Sequence, residues 1–205
     1  DFVALHRKEY IGKFDILEGI VEGGTFLLNS NWKPEKIFEK LTKEMQDTIR
    51  EKNIKVYNVD ASKIAKKVGL GGRINTVMQT AFFKLSGVLN DDEAIPMIKS
   101  YVEKTFKRKG MEIVQMNWDA IDASVDAIEE VPVPETCENA ADPQEVVPAD
   151  SDAFAKEVVD PVLRLKGDSV PVSKMSFDGS LPTMTKRLEK GGRAGRVPPW
   201  FTKVN

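Results

Sequence analysis

Cysteine and histidine are almost missing from this 205-residue chain: Cys137 and His6 are the single representatives. One thiol excludes disulfide frameworks, iron–sulfur clusters and cysteine zinc sites built by this chain alone. One imidazole excludes a histidine metal cluster and gives a histidine-centred triad no support, so no metal site is expected and His6 reads as a structural hydrogen-bonder. No apolar run reaches the ~20 residues that span a bilayer. No secretory leader precedes Asp1, so the sequence reads as a fragment or processed product. The scarcity of cysteine fits a reducing compartment, the cytoplasm or an organelle matrix of mitochondrial type. What is present is ordinary: 41% hydrophobic residues, 30% charged residues and a net charge of −2. That length and composition allow one domain of about 130 residues with an appendage, or two small domains.

The charges are unevenly distributed. Residues 1–109 carry a net +5, residues 110–155 contain no Lys or Arg and carry −12, and residues 156–205 return to +5. Residues 131–152 (VPVPETCENAADPQEVVPADSD) are rich in Pro, Ala and acids and lack aromatics. Such a stretch buries too little to offset its ordering entropy and reads as an extended linker. Three parts follow: a domain over 1–130, an acidic linker over 131–152 and an irregular Pro/Gly-rich arm over 153–205.

The first part alternates strands with helices, which predicts an α/β, three-layer domain on a mostly parallel sheet. Phe2-Val3-Ala4-Leu5, Thr25-Phe26-Leu27-Leu28 and Ile54-Lys55-Val56-Tyr57-Asn58-Val59 read as strands. A helix is predicted over residues 11–21, closed by Gly23-Gly24. A second begins at Pro34 and places Ile37, Leu41, Met45 and Ile49 at i+4 spacing. Asp60 is the expected N-cap of a helix over residues 61–68. Residues 73–128 read as wholly helical, with Ile121, Val125 and Ile128 on one face of the last piece. Acid pairs such as Glu129-Glu130 read as solvated helix ends. One further helix is expected near residues 154–165.

The segment Gly69-Leu70-Gly71-Gly72-Arg73-Ile74-Asn75 is neither a P-loop nor a dinucleotide fingerprint, because its spacing is wrong for both. It reads either as a helix C-cap with a tight corner or, aided by Arg73, as an anion contact. Asn75 and Gln79, four apart on one helix face, form either a buried amide recognition pair or local caps. Asn29 and Ser30 follow a strand, where open α/β sheets gather ligands. Gly12 and Lys13 follow the first strand similarly, with Lys13 placed to meet a phosphate. Asn117 and Trp118 either cap the last helix or wall the same cleft. Cys137 receives no role, because no cation lies near it in sequence to lower its pKa. From the residues alone this is a binding module with no catalytic residue.

Several strings carry a resemblance. Tyr10-Ile11-Gly12-Lys13-Phe14 and Glu22-Gly23-Gly24-Thr25-Phe26-Leu27-Leu28-Asn29-Ser30 open it. Val68-Gly69-Leu70-Gly71-Gly72-Arg73-Ile74-Asn75 and Met78-Gln79-Thr80-Ala81-Phe82-Phe83-Lys84-Leu85 continue it, with Lys109-Gly110 to Met116-Asn117. These resemble the gamma domain of pyruvate:ferredoxin (flavodoxin) oxidoreductase. Pro171-Val172-Ser173, Asp178-Gly179, Glu189-Lys190 and Val197-Pro198-Pro199-Trp200 resemble the connecting arm before its ferredoxin-like domain. The resemblance implies an enzyme that converts pyruvate and coenzyme A to acetyl-coenzyme A and CO2. Thiamine diphosphate and [4Fe-4S] clusters would lie in partner domains, and electrons would pass to ferredoxin, flavodoxin or NADP. It implies that Gly12, Lys13, Ser30, Arg73, Asn75, Gln79 and Asn117 surround coenzyme A.

The chain departs from that pattern in two places. Glu189-Lys190-Gly191-Gly192 stands where the family has Glu-Lys-Arg-Gly, and Phe201-Thr202-Lys203-Val204-Asn205 stands where a cysteine cluster is expected. Two readings follow: a coenzyme A-binding domain or subunit that is inactive alone, or a recruited non-catalytic subunit that grips its neighbours in a larger complex. Nucleic acid is not an expected partner, since the chain is acidic overall and lacks a basic face interleaved with aromatics.

Overall fold

Three apolar runs pair as parallel strands: β1 (Phe2–Leu5), β2 (Thr25–Asn29) and β3 (Lys55–Val59), in that spatial order. Phe2 lies opposite Thr25, and Thr25 opposite Lys55. A two-residue strand, β4 (Glu129–Glu130), adds antiparallel to β3. The computed structural model describes residues 1–183, 185 and 188. The strings at Glu189-Lys190 and Val197-Pro198-Pro199-Trp200, and the residues after them, lie outside the described residues.

β2 is buried on both faces. Phe26 and Leu28 enter one apolar cluster and Leu27 the other, each with no exposed surface. A strand covered on both sides has no polar face, so its sequence runs apolar without alternation. One covering layer comes from residues 11–51 and includes α1 (Pro34–Ile37) and α2 (Lys43–Glu51). The opposite layer holds α3 (Ala61–Lys67), α4 (Asn75–Ser86), α5 (Asp91–Phe106) and α6 (Met111–Val125). Ile64, Val77, Ala81 and Ala120 pack from α3, α4 and α6 toward Leu27 and Val59. α5 joins through a separate cluster of Ile98, Val102, Val114 and Ile121. The expected α/β three-layer architecture is therefore the observed one. Asp60 caps α3 as read, its Oδ1 accepting from Lys63 N at 2.9 Å.

Three local expectations are corrected. Residues 11–21 form turns rather than a helix. Gly12 and Gly19 adopt φ of +81° and +76°, outside the helical region, while Ile11, Leu17 and Ile20 still reach the core. The i+4 series Ile37, Leu41, Met45, Ile49 is buried but spans two helices. The chain extends at Leu41 (ψ 152°), and Thr42 restarts the helix by accepting from Met45 N at 3.4 Å. Glu129 and Glu130 end no helix; they pair with Asn58 and Tyr57 across the sheet edge.

The chain divides into two compact units, Asp1–Gln144 and one beginning at Glu145. The acidic stretch read as an extended linker runs along the first unit as far as Gln144, with Val131 buried and its N–H bonded to Val56 O. In the second unit a π-helical turn, Ala155–Val159, leads into α7 (Asp160–Leu163), which Arg164 ties to Asp160 at 2.7 Å. Beyond it Val172 and Phe177 are fully or nearly fully exposed. The Ser180 backbone N–H and hydroxyl both donate to Asp178, and the backbone donor leads in holding that carboxyl below its usual range. Among the described residues no helix is long and apolar enough to cross a membrane.

Candidate functional site: a basic cleft at the carboxyl ends of the strands

All three parallel strands deliver their chain to one edge of the sheet. The residues leaving β1 (His6, Arg7, Lys8, Glu9), β2 (Ser30, Asn31) and β3 (Asp60, Ser62, Lys63, Lys66), with Asn29 at the end of β2, line an open cleft of about 610 Å³. Gly72 and Ile74 complete the wall. Four cations against two carboxylates make the lining net positive. Asp60 is additionally occupied as a helix cap, which leaves Glu9 as the cleft's other acid.

The polar floor is tied down from beneath. Asn29 donates through Nδ2 to His6 O (2.9 Å) and accepts at Oδ1 from Ala61 N (3.0 Å), joining the exits of all three strands. Ser30 Oγ donates to buried Asn58 Oδ1 at 2.8 Å and accepts from Trp32 N at 3.3 Å, while Asn58 Nδ2 donates to Ser30 O at 3.2 Å. Lys8 is aimed by Asn31 Oδ1 (2.5 Å) and by the Trp32 ring, 4.8 Å below its Nζ. Lys63 and Lys66, exposed on α3, are three residues apart and face the cleft together. A fixed polar floor beneath several cations suits a phosphorylated ligand. The lining presents no nucleophile held against a base.

Of the residues singled out in the sequence, the structure brings Ser30 and its neighbour Asn29 into this cleft. Arg73 lies beside it rather than in its lining, between Gly72 and Ile74, and its Nε donates back to Leu70 O at 3.2 Å. Asn75 and Gln79 share a face of α4 but are exposed, not buried, because the helix turns Val77, Met78 and Ala81 inward instead. Asn117 is buried and engaged on both sides, accepting from Thr76 Oγ1 at 2.7 Å and donating to Ile113 O at 2.8 Å. Gly12 and Lys13 lie beyond the β1 exit, outside the lining. The glycine corner holds Gly69 and Gly71 at φ +86° and +64°, and Leu70 N closes the end of α3 on Ala65 O at 2.8 Å, as a helix C-cap does.

Reasoning from the sequence missed Arg7, Lys8, Lys63 and Lys66. The rule that located Ser30 applied equally to the residues leaving β1 and β3, and would have found them. Among the described residues no group of three His, Cys, Asp or Glu side chains converges to hold a metal ion.

A family model described as pyruvate ferredoxin/flavodoxin oxidoreductase matches residues 1–127, and a domain of unknown function designated EKR matches residues 140–194. The chain is 43% identical to the "Pyruvate:ferredoxin oxidoreductase" of Moorella thermoacetica over 98% of its own length, which is 17% of that protein. It is 38% identical to the "Pyruvate dehydrogenase [NADP(+)], mitochondrial" of Euglena gracilis, again over 98% of its length, which is 11% of that one. The crystal structure of the pyruvate oxidoreductase subunit PORC of Thermotoga maritima aligns with a TM-score of 0.48 and 23% identity, over 64% of this chain and 65% of the other. The chain thus spans about one sixth of the Moorella relative's length. On the family match over its first 127 residues and the identity to these longer proteins, the chain belongs to the pyruvate ferredoxin/flavodoxin oxidoreductase family.

Proposed function

We propose that this chain is the gamma-type domain or subunit of a pyruvate:ferredoxin, flavodoxin or NADP oxidoreductase. In that role it binds coenzyme A for a reaction whose chemistry takes place on other domains. The observation that carries this reading is the cationic cleft where β1, β2 and β3 end. Its volume falls within the range of about 300–1,000 Å³ usual for small-molecule sites. Arg7, Lys8, Lys63 and Lys66 supply the charge that a diphosphate and a ribose phosphate demand, Asn31 supplies a neutral amide for the pantetheine, and Ser30 braces the floor beneath. The iron–sulfur clusters of such an enzyme do not fit this chain. A [4Fe-4S] cluster takes four thiolates, whereas Cys137 is the one cysteine and its Sγ is bonded to Asn139 O at 3.0 Å. Clusters therefore belong to partner domains, and on the family resemblance thiamine diphosphate does too, with ferredoxin or flavodoxin as indirect partners. The compartment that goes with this reading is a reducing one, cytoplasm or organelle matrix; the Euglena relative's name includes "mitochondrial".

A second reading, a non-catalytic accessory subunit, draws on the second unit. Leu165, Val172 and Phe177 expose 79%, 86% and all of their surface, as anchors for a neighbouring polypeptide would. Calorimetric titration of coenzyme A into the chain, purified with whatever subunits accompany it, decides between them. Saturable binding together with a thiamine-dependent partner supports the first. Absence of both leaves the second.

A further inference from the structure

The acidic stretch that leaves β4 is held in an unusual way. Between Val131 and Gln144 it is gripped at five places. Val131 N donates to Val56 O (2.8 Å), and Arg50 Nε donates to Pro134 O (2.9 Å). Gln46 Nε2 donates to Asn139 O (2.8 Å), Ala141 N donates to Leu41 O (2.9 Å), and Gln144 closes on the loop after β1. Every partner from the domain is a backbone carbonyl or a side-chain donor reaching the strap's own carbonyls. Gln46 has no exposed surface and spends its amide hydrogens on Asn139 O and on Phe38 O (2.9 Å), leaving its Oε1 buried without a partner. An amide accepts that cost only where its neighbours require a donor.

The end of the strap reaches the cleft's own loop. Gln144 N donates to Gly12 O at 3.0 Å, and its Nε2 donates to Ile11 O at 2.7 Å. The approach is so close that a Cβ on Gly12 would lie 3.0 Å from Asp142 O and 3.1 Å from Gln144 N, with φ at +81° besides. Ile11 N in turn donates to Lys8 O, and Tyr10 N to Arg7 O, so the pinned carbonyls belong to the short turn that carries both cleft cations. On its other side the same loop is held by Asn29 on His6 O.

We propose that residues 131–144 act as a clip that sets the position of Arg7 and Lys8 in the cleft. Gln144 is its positioning residue, and Gly12 is the seat it closes on. The glycine that the sequence pointed to as a ligand contact serves the clip instead. The ligand half of this proposal rests on the coenzyme A reading; the loop half does not.

The test uses the full chain with its native partners. Gln144→Glu keeps the side chain's shape and sets a carboxylate against the Ile11 carbonyl, while Gln144→Lys restores a donor. Hydrogen–deuterium exchange over residues 6–14 is expected to quicken about fivefold or more in Gln144→Glu, as loss of one hydrogen bond predicts, and to recover in Gln144→Lys. Exchange over β2 and β3 stays as in the wild type. Coenzyme A KM rises by a similar factor in Gln144→Glu with kcat unchanged. Unchanged exchange over 6–14 overturns the clip, and so does a uniform rise across all strands, which means only a general loss of stability. Looser exchange with an unaltered KM overturns the positioning role. A wild-type chain that binds no coenzyme A defeats the functional reading while leaving the exchange result to judge the clip.

Discussion

Two polar corners of the first unit invite comparison: the rim where β1, β2 and β3 end, and the glycine corner between α3 and α4. The sequence of the corner is the more conspicuous, with three glycines, an arginine and two amides. Its groups are nevertheless occupied or turned away. Arg73 folds back on Leu70 O, Asn117 is consumed by Thr76 and Ile113, and Asn75 and Gln79 stand on an exposed face. At the rim, satisfied groups (Asn29, Ser30, Asn58) form the floor, and cations are added above it. The difference teaches that a ligand site needs both a braced layer and an uncommitted one. At the corner the exposed groups, Asn75 and Gln79, are neutral and lie outside the cleft's lining.

Substitutions sharpen that contrast, the largest effect coming from the floor. Asn58→Ala removes the acceptor of the buried Ser30 hydroxyl proton and the side-chain donor to the Ser30 carbonyl, and is expected to lower stability by about 2–3 kcal/mol, read by denaturant unfolding. Asn117→Ala strands the Thr76 hydroxyl and costs about 1–2 kcal/mol by the same measurement. It leaves coenzyme A affinity unchanged; a large loss of affinity there would restore the corner as a ligand site. Raising salt from about 0.05 to 0.5 M shortens the screening length and weakens coenzyme A binding severalfold, whereas a salt-independent affinity would detach binding from the cleft's cations. The smallest effect lies in the second unit. Ser180→Ala moves the Asp178 pKa upward, followed by NMR titration of its carboxyl carbon. Because the folded pKa is depressed, this contact stabilises above the ordinary carboxylate pKa and its contribution fades as pH falls through the folded value.

Much of the fold was legible because burial on both faces leaves a plain signature. Thr25-Phe26-Leu27-Leu28 has no polar alternation, and Asp60 sits where a cap belongs. Misread elements share one cause: apolar spacing reports which residues are buried, not how the backbone brings them there. Ile11, Leu17 and Ile20 reach the core through glycine turns, and Leu41 reaches it from an extended residue between two helices. The acidic stretch, read as an extended linker, is attached largely through its backbone N–H and carbonyl groups, which side-chain composition does not reveal. At the site, Ser30 was readable from its place after a strand. Lys63 and Lys66 were readable by the same rule, since they follow β3 as Ser30 follows β2, but lysines on a helix look like a solvated face unless that rule is applied to every strand.

The most direct measurement is a side-by-side calorimetric titration of coenzyme A into two double variants, Lys63→Ala with Lys66→Ala and Asn75→Ala with Gln79→Ala. If the strand-end cleft is the anion site, the lysine pair loses about tenfold in affinity, two partly screened charge contacts, and the amide pair stays within about twofold of the wild type, below the worth of one hydrogen bond. The reverse pattern, with the amides essential and the lysines dispensable, would place the ligand at the glycine corner and contradict the account.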